Sequence, residues 1–350
     1  MSVIINIVVL VLMLGFLILI HELGHFLWAK KFGVHIYEFA IGMGPVIKTI
    51  KGKDGIDYSI RAFPIGGFVQ MAGEVYEDDN KIPKEKFMCN KPWWQKLIIL
   101  LAGVTNNFIA ALLLLFVSAL IWGAQTSTPV VSETPEGLPV AEAGIKPGDT
   151  IISINGTKTN TWDKVQILLA YKTKDGVYEF GVRHEDGTED TYKIKPAEVE
   201  DEEGNKTKVF GVQMNIGREK GFVASLKYAG TKFCSLISQM AYTIGGLFSG
   251  KLSLNALSGP VGIYSVVGET VKSGAENLVY LIAFLSINLG FINVLPFPAF
   301  DGGRVVFILI EKIIRRPIDS KIENAFHTVG FILILLLMIY ITAHDIIKLF

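Results

Sequence analysis

The chain is poor in cysteine, in net charge and, at its beginning, in basic residues. Its 350 residues include two cysteines, Cys89 and Cys234, in separate segments. That rules out a disulfide framework and a cysteine-based zinc site, so any metal must be held by His, Asp or Glu. Lys plus Arg and Asp plus Glu each total 33, a formal net charge of zero, and no long basic run occurs. A nucleic-acid partner is therefore not expected. Residues 1–20 hold no Lys or Arg, whereas a secretory signal peptide needs a basic start and a small-residue cleavage site. The helical pattern runs on to Trp28, which points to a retained transmembrane helix. Charged residues are scarce at 19%, against 50% apolar and a mean hydropathy of +0.43. This balance fits a membrane protein carrying one or two polar modules.

Spanning a hydrocarbon core takes about 20 mostly apolar residues, and four segments qualify: about 3–27, 97–122, 278–296 and 326–343. The third is broken at its end by Pro296 and Pro298. Lys and Arg cluster in the loop over residues 30–95 and in the loop between spans three and four, for example Lys30, Lys31, Arg61, Lys91, Arg304, Arg315 and Arg316. Four spans place both loops on one face, which the positive-inside rule makes cytoplasmic. The long region between spans two and three then faces outward. It opens with a soluble β-rich domain, 126–217, whose alternating runs at Thr150 and Tyr178 are separated by Asn-Gly and Asp-Gly turns. Residues 218–277 follow as an amphipathic region. Lys227 and Lys232 interrupt its helical pattern, which suits a membrane-surface helix, and a helix packed on the protein's own core is an equally open reading.

Residues 21–25 read His-Glu-Leu-Gly-His at the end of the apolar run Val3–Ile20. Two histidines four apart share one helix face and can bind one zinc, with the intervening Glu22 placed as general base. Ionisable groups at membrane depth are costly, so three of them together mark a functional site. Catalytic zinc usually has three protein ligands and one open position. Of the other histidines, His184 and His344 fall on the outer side, while His35 and His327 lie toward the cytoplasmic one. Asp301, in Asn293-Val-Leu-Pro-Phe-Pro-Ala-Phe-Asp-Gly-Gly303, follows the proline-broken end of span three at the depth of the histidine pair. It is the best candidate third ligand, although taken alone a helix or turn cap before Gly302-Gly303 would be the favoured reading; the site's need for a third ligand tips the balance. Asn293 is a candidate for binding an extended substrate backbone, or for an interhelical hydrogen bond.

Taken in order, several motifs closely resemble those of the site-2 protease family, in particular the bacterial type that cleaves anti-sigma factors. They are His21–His25, Phe39–Pro45, Tyr58–Val69, Ala102–Phe108, Ser258–Ile263 and Asn293–Gly303. Phe300 and Val104 stand where that family usually has Leu and Pro, and neither change removes a ligand. The resemblance implies a polytopic α-helical membrane protein with four transmembrane helices, a membrane-re-entrant β-hairpin over Tyr58–Val69, and an inserted β-rich PDZ domain. It implies an intramembrane zinc endopeptidase of the bacterial cytoplasmic membrane that acts on single-span proteins, either anti-sigma factors or signal-peptide remnants. Gly66 and Gly67 would then sit on a strand beside the active site whose edge pairs with unwound substrate. The PDZ module, read from Ala141–Gly156, would accept a peptide end or act as a steric gate.

Two other classes compete with this reading. A catalytically idle membrane chaperone or adaptor would have no need for His21, Glu22, His25 and Asp301 together. An ion transporter would show internal repeats or more intramembrane charge. The topology has a direct check. Single cysteines at Asn155 and Glu85, with Cys89 and Cys234 replaced, should react with an impermeant thiol reagent from outside at 155 and only after permeabilisation at 85; the reverse pattern overturns the orientation.

Overall fold

Residues 3–74, 81–126, 128–200, 206–214, 217–253, 257–316 and 318–347 are described by the structure, a computed structural model. The helices among them are α1 Val3–Lys31, α2 Trp93–Trp122, α3 Pro139–Glu142, α4 Trp162–Ala170, α5 Phe222–Phe248, α6 Pro260–Lys272, α7 Ala275–Val294, α8 Asp301–Ile314 and α9 Ser320–Ile347. The chain divides into two compact units, residues 1–114 with 257–350, and residues 115–256. Four helices, α1, α2, α7 and most of α9, are long and apolar enough to cross a membrane. They occupy the four stretches expected from hydropathy. On α9, Phe331, Leu333, Leu336 and Ile339 lie about half exposed. In water so large an apolar face would drive association; in lipid it is the solvated surface. Helices α6 and α8 were not foreseen. Hydropathy alone gives the first as amphipathic surface and the second as loop.

Within the first unit, the end of α1 and the start of α2 are joined to a β-sheet by one apolar cluster. Phe26, Ala29, Val34, Ile36, Phe39, Ile99, Leu100 and Ile308 are among its buried members. The sheet is built from two long strands, β1 Ile36–Lys51 and β2 Asp57–Met71. Each bends sharply, β1 around Gly42 and Gly44 and β2 before Gly66, all with positive φ. The bends give four arms. Phe39 pairs with Val69 on one side and Tyr58 on the other, while Ser59 pairs onward with Thr49. The expectation of a hairpin within Tyr58–Val69 is therefore corrected: the two ends of that segment flank β1 rather than each other. The bulges that bend the strands produce this arrangement.

A second apolar cluster, Met13, Leu17, Val267 and Leu281, ties α1 to α6 and α7. The start of α6 is capped from α9, where buried Asp345 accepts hydrogen bonds from the backbone N–H groups of Gly259 (2.8 Å) and Gly262 (3.0 Å). A carboxylate there satisfies otherwise orphaned donors and matches the positive end of the helix.

The second unit holds a four-stranded antiparallel sheet with spatial order 157–158, 150–154, 178–183, 189–194. Asn155 and Gly156 both take positive φ, the conformation a two-residue hairpin turn demands. Ile151, Ile154, Phe180 and Val182 pack from the sheet against Val165 and Leu168 of α4. Helix α5 lies on α4. Lys232 reaches both oxygens of Asp163 at 2.7 and 2.9 Å, and Ser235 donates to the same carboxylate at 2.8 Å. Lys232 is thus an internal anchor, which favours the packed-helix reading for this face of α5. Phe222, Val223 and Leu226 at its start remain well exposed.

The same unit contains a titratable contact. His184 Nδ1 lies 2.8 Å from buried Asp149 and its Nε2 3.3 Å from Asp190. The hydrogen bond to Asp149 holds the imidazole above its ordinary range. A histidine raised in the folded state contributes fully below its unfolded pKa of about 6.5 and loses that contribution as pH rises through the folded value. Proteolytic resistance of this unit should therefore fall as pH rises above about 6.5, read by limited digestion. His184→Gln should flatten that dependence, and an unchanged profile would discount the contact.

Candidate metal centre

His21 and His25, one helical turn apart on α1, are both about 7% exposed and direct their Nε2 atoms to one point. Asp301 reaches it from the first turn of α8. Its Oδ2 lies 3.0 Å from His21 Nε2 and 3.5 Å from His25 Nε2, and the two ring nitrogens are 3.2 Å apart. A tetrahedral zinc with bonds of 2.0–2.1 Å has neighbouring ligand atoms roughly 3.3 Å apart. The three measured separations bracket that edge. Asp301 Oδ2 is buried and makes no hydrogen bond, so a cation at the shared point satisfies it. The donor set of two neutral imidazoles and a carboxylate, with a fourth position open, suits catalytic zinc. The residues fit the metal.

Helix α2 forms the wall behind the rings through one stripe at i, i+4 and i+8: Ile99, Gly103 and Asn107. The Ile99 carbonyl accepts from His25 Nδ1 at 2.8 Å. That bond fixes the proton on Nδ1 and leaves Nε2 free as a ligand. A methyl group on Gly103 would come within 2.6 Å of His25 Nε2 and 2.8 Å of His21 Cε1. Gly24, between the histidines, abuts the Ala102 carbonyl so closely that no side chain fits there. Small residues at both positions let α1 and α2 touch backbone to backbone. Asn107 is fully buried, with Nδ2 3.1 Å from His21 Nδ1.

The placement of Asp301 depends on the segment between α7 and α8. Gly302 packs on the carbonyls of Val294 and Leu295, and Gly303 on that of Phe297, so the start of α8 folds back tightly on the end of α7. Just before it, Ala299 takes φ of 77°, a conformation that costs a non-glycine residue about 1–3 kcal/mol. Its N–H donates to His327 Nδ1 of α9 at 3.0 Å, which helps to hold the turn.

A cavity of about 500 Å³ opens in front of the three ligands. Half-buried Glu22 lines it beside the histidines, with Phe68, Val69 and Met71 of β2 on another side and His327 of α9 opposite. Arg304 also borders it, ion-paired with Glu74. Of the expected substrate-binding residues, Gly67 backs onto Glu22, since a Cβ there would lie 3.8 Å from Glu22 Cγ. Gly66 instead packs under Met43. Asn293, on the last turn of α7, is not among the residues lining this cavity. The contacts of the α2 stripe, the bond between His327 and the Ala299 turn, and the Arg304–Glu74 pair are not legible in the sequence. The available signal is Gly103 and Asn107, four apart within the Ala102–Phe108 motif of a largely apolar span.

Removing the Asp301 carboxylate, or filling the space beside the rings, should release metal. Asp301→Ala and Gly103→Ala are each expected to carry clearly substoichiometric zinc after purification in detergent, measured by elemental analysis. Full zinc content in Asp301→Ala would strike that residue from the ligand set.

The sequence model of peptidase family M50 matches residues 9–337. Over 422 aligned positions the chain is 30% identical to the regulator of sigma-W protease RasP of Bacillus subtilis, covering 99% of each protein. It is 31% identical to the zinc metalloprotease RasP of Shouchella clausii, covering 95% of this chain and 97% of that one. It is also 37% identical to a Fusobacterium nucleatum protein named among the zinc metalloproteases, covering 97% and 98%. These matches run nearly end to end and include both segments that supply the clustered His and Asp side chains. The chain belongs to peptidase family M50, the site-2 proteases, and is a zinc metalloendopeptidase of the bacterial membrane.

Proposed function

We propose that the enzyme hydrolyses peptide bonds within the transmembrane segments of single-span proteins, with His21, His25 and Asp301 holding zinc and Glu22 as general base. The observation that carries this reading is the meeting of two Nε2 atoms and one Oδ2 within 4.8 Å of one another, next to Glu22 and facing a cavity. His21 lies roughly 27 Å along α1 from Val3, at 1.5 Å per residue, which is close to the full hydrocarbon depth of about 30 Å. The reaction centre therefore sits near one membrane face. The clustered Lys and Arg of the flanking loops make that face cytoplasmic, with the β-rich domain outside.

Bound zinc supplies Lewis-acid polarisation of the scissile carbonyl and a more acidic water. Glu22, beside the ligands, accepts the water's proton and returns it to the departing amide nitrogen. Substrate must enter unwound, because a helix's carbonyls are already hydrogen-bonded and shielded. The arm of β2 carrying Phe68, Val69 and Met71 borders the cavity, and its backbone is suited to receive an extended chain by strand addition. Gly67 serves this by letting β2 pass close to β1, where a Cβ would come within 2.8 Å of the Ala40 carbonyl oxygen. Asn293 is retained as a substrate-backbone contact only for a chain that extends beyond the cavity, toward the end of α7.

The Bacillus subtilis relative is named for regulation of sigma-W. By that analogy the substrates are anti-sigma factors or signal-peptide remnants already trimmed on the outer side, in regulated intramembrane proteolysis. The β-rich domain of residues 126–217 is read as one PDZ module that excludes substrates with bulky outer domains, in preference to binding a free peptide end.

Glu22→Gln should retain zinc while abolishing cleavage of a reconstituted single-span substrate, with turnover falling at least a hundredfold for loss of a general base. Turnover equal to that of the unaltered enzyme would remove Glu22 from the chemistry. The same variant, expressed in its host, should co-purify with membrane fragments whose sequences identify the substrate class by mass spectrometry.

A further inference from the structure

The two zinc-binding histidines are held differently, and the difference assigns a role to Asn107. His25 donates its Nδ1–H to the Ile99 carbonyl at 2.8 Å, a partner that can only accept. His21 has no carbonyl in the corresponding place. Its Nδ1 faces the side-chain amide of Asn107, with Nδ2 at 3.1 Å, while Asn107 Oδ1 is buried with no hydrogen-bond partner. A histidine that binds metal through Nε2 carries its proton on Nδ1 and needs an acceptor there. A half-turn of the amide exchanges its nitrogen and oxygen, and the neighbours' chemistry decides which end faces which. Turned this way, the unpartnered Oδ1 receives the Nδ1 proton.

We propose that Asn107 is a positioning residue for the metal centre: through Oδ1 it selects the tautomer and fixes the plane of His21, as the Ile99 carbonyl does for His25. The inference rests on the zinc reading of His21 given above. Three further contacts hold Asn107 in place for this task. Ser286 of α7 donates to the Asn107 carbonyl at 2.8 Å, from a side chain that is itself fully buried. Asn106 donates to the Ile20 carbonyl at 3.2 Å, pinning α2 to α1 one residue before His21. Gly103, one turn earlier on α2, leaves both rings room to sit against the helix. The Asn-Asn pair in this apolar span thus works as a unit, with one amide setting the register of α2 on α1 and the other orienting the ligand.

The test measures zinc affinity of the full-length protein in detergent by competition with a chromogenic chelator. Asn107→Leu keeps similar bulk without an acceptor and should weaken zinc binding about 10–100-fold, the usual effect of losing a ligand's supporting hydrogen bond. Asn107→Asp presents only acceptors, and should bind zinc at least as tightly as the unaltered protein because a carboxylate partner raises the basicity of a ligating imidazole. Unweakened binding by Asn107→Leu, or a loss in Asn107→Asp as large as in Asn107→Leu, overturns the proposal. If Asn107→Leu does not fold, Asn107→Asp decides alone: undiminished affinity supports the role and weakened affinity refutes it. His21→Ala, measured alongside, separates the two claims. If it binds zinc normally, the ligand assignment has failed rather than the role of Asn107.

Discussion

The constraint behind this molecule is the cost of placing ionisable side chains within a low-dielectric slab. An Asp, Lys or Arg at the centre of a spanning helix costs about 2.5–3.5 kcal/mol even on lenient scales. Here two imidazoles and two carboxyl groups, His21, His25, Glu22 and Asp301, are gathered around one cavity beside the first long apolar helix. Their arrangement answers the cost with mutual proximity, and it is the donor arrangement that a hydrolytic zinc site needs. Much of the surrounding first unit is arranged to deliver Asp301 from a separate helix and to keep both rings from turning away.

Delivery and restraint use different devices. Asp301 opens α8, whose following glycines pack on the carbonyls of residues 294–297, and a strained Ala299 is held by His327 of α9. Three helices therefore determine where one carboxylate points. Restraint comes from α2, where positions 99, 103 and 107 supply a carbonyl, a space and an amide in successive turns. Substituting any of these would leave the three ligands present in sequence while loosening their geometry. The β-sheet meets the site on another side, and its doubled-back strands bring Gly67 against Glu22.

The β-rich unit is organised by ordinary globular rules. Alternating apolar residues fill one core, and Asp163 anchors the long helix α5 through Lys232 and Ser235. Lysines in an amphipathic pattern suggest a surface, yet Lys232 is drawn inward because a carboxylate waits for it. Charge in a sequence reports a preference for polar surroundings, and the partner that supplies them is chosen by the fold.

Much about this protein was determined locally. Four hydrophobic stretches are long and apolar enough to span, and within lipid each can satisfy its own backbone hydrogen bonds only as a helix. The spacing of His21 and His25 places both on one face by helix geometry alone, and the need for a third ligand at matching depth pointed to Asp301. The tertiary structure decided what depends on long-range approach. It brought Asp301 to 3.0 Å from His21 across 280 positions of chain, and set Asn107 and Gly103 against the rings. It also folded Tyr58 and Val69 around opposite sides of Phe39 and left Asn293 off the cavity. Periodicity records which face of an element is apolar, but it carries no distance between elements, and hydrogen bonding to a histidine's second nitrogen is a matter of ångströms.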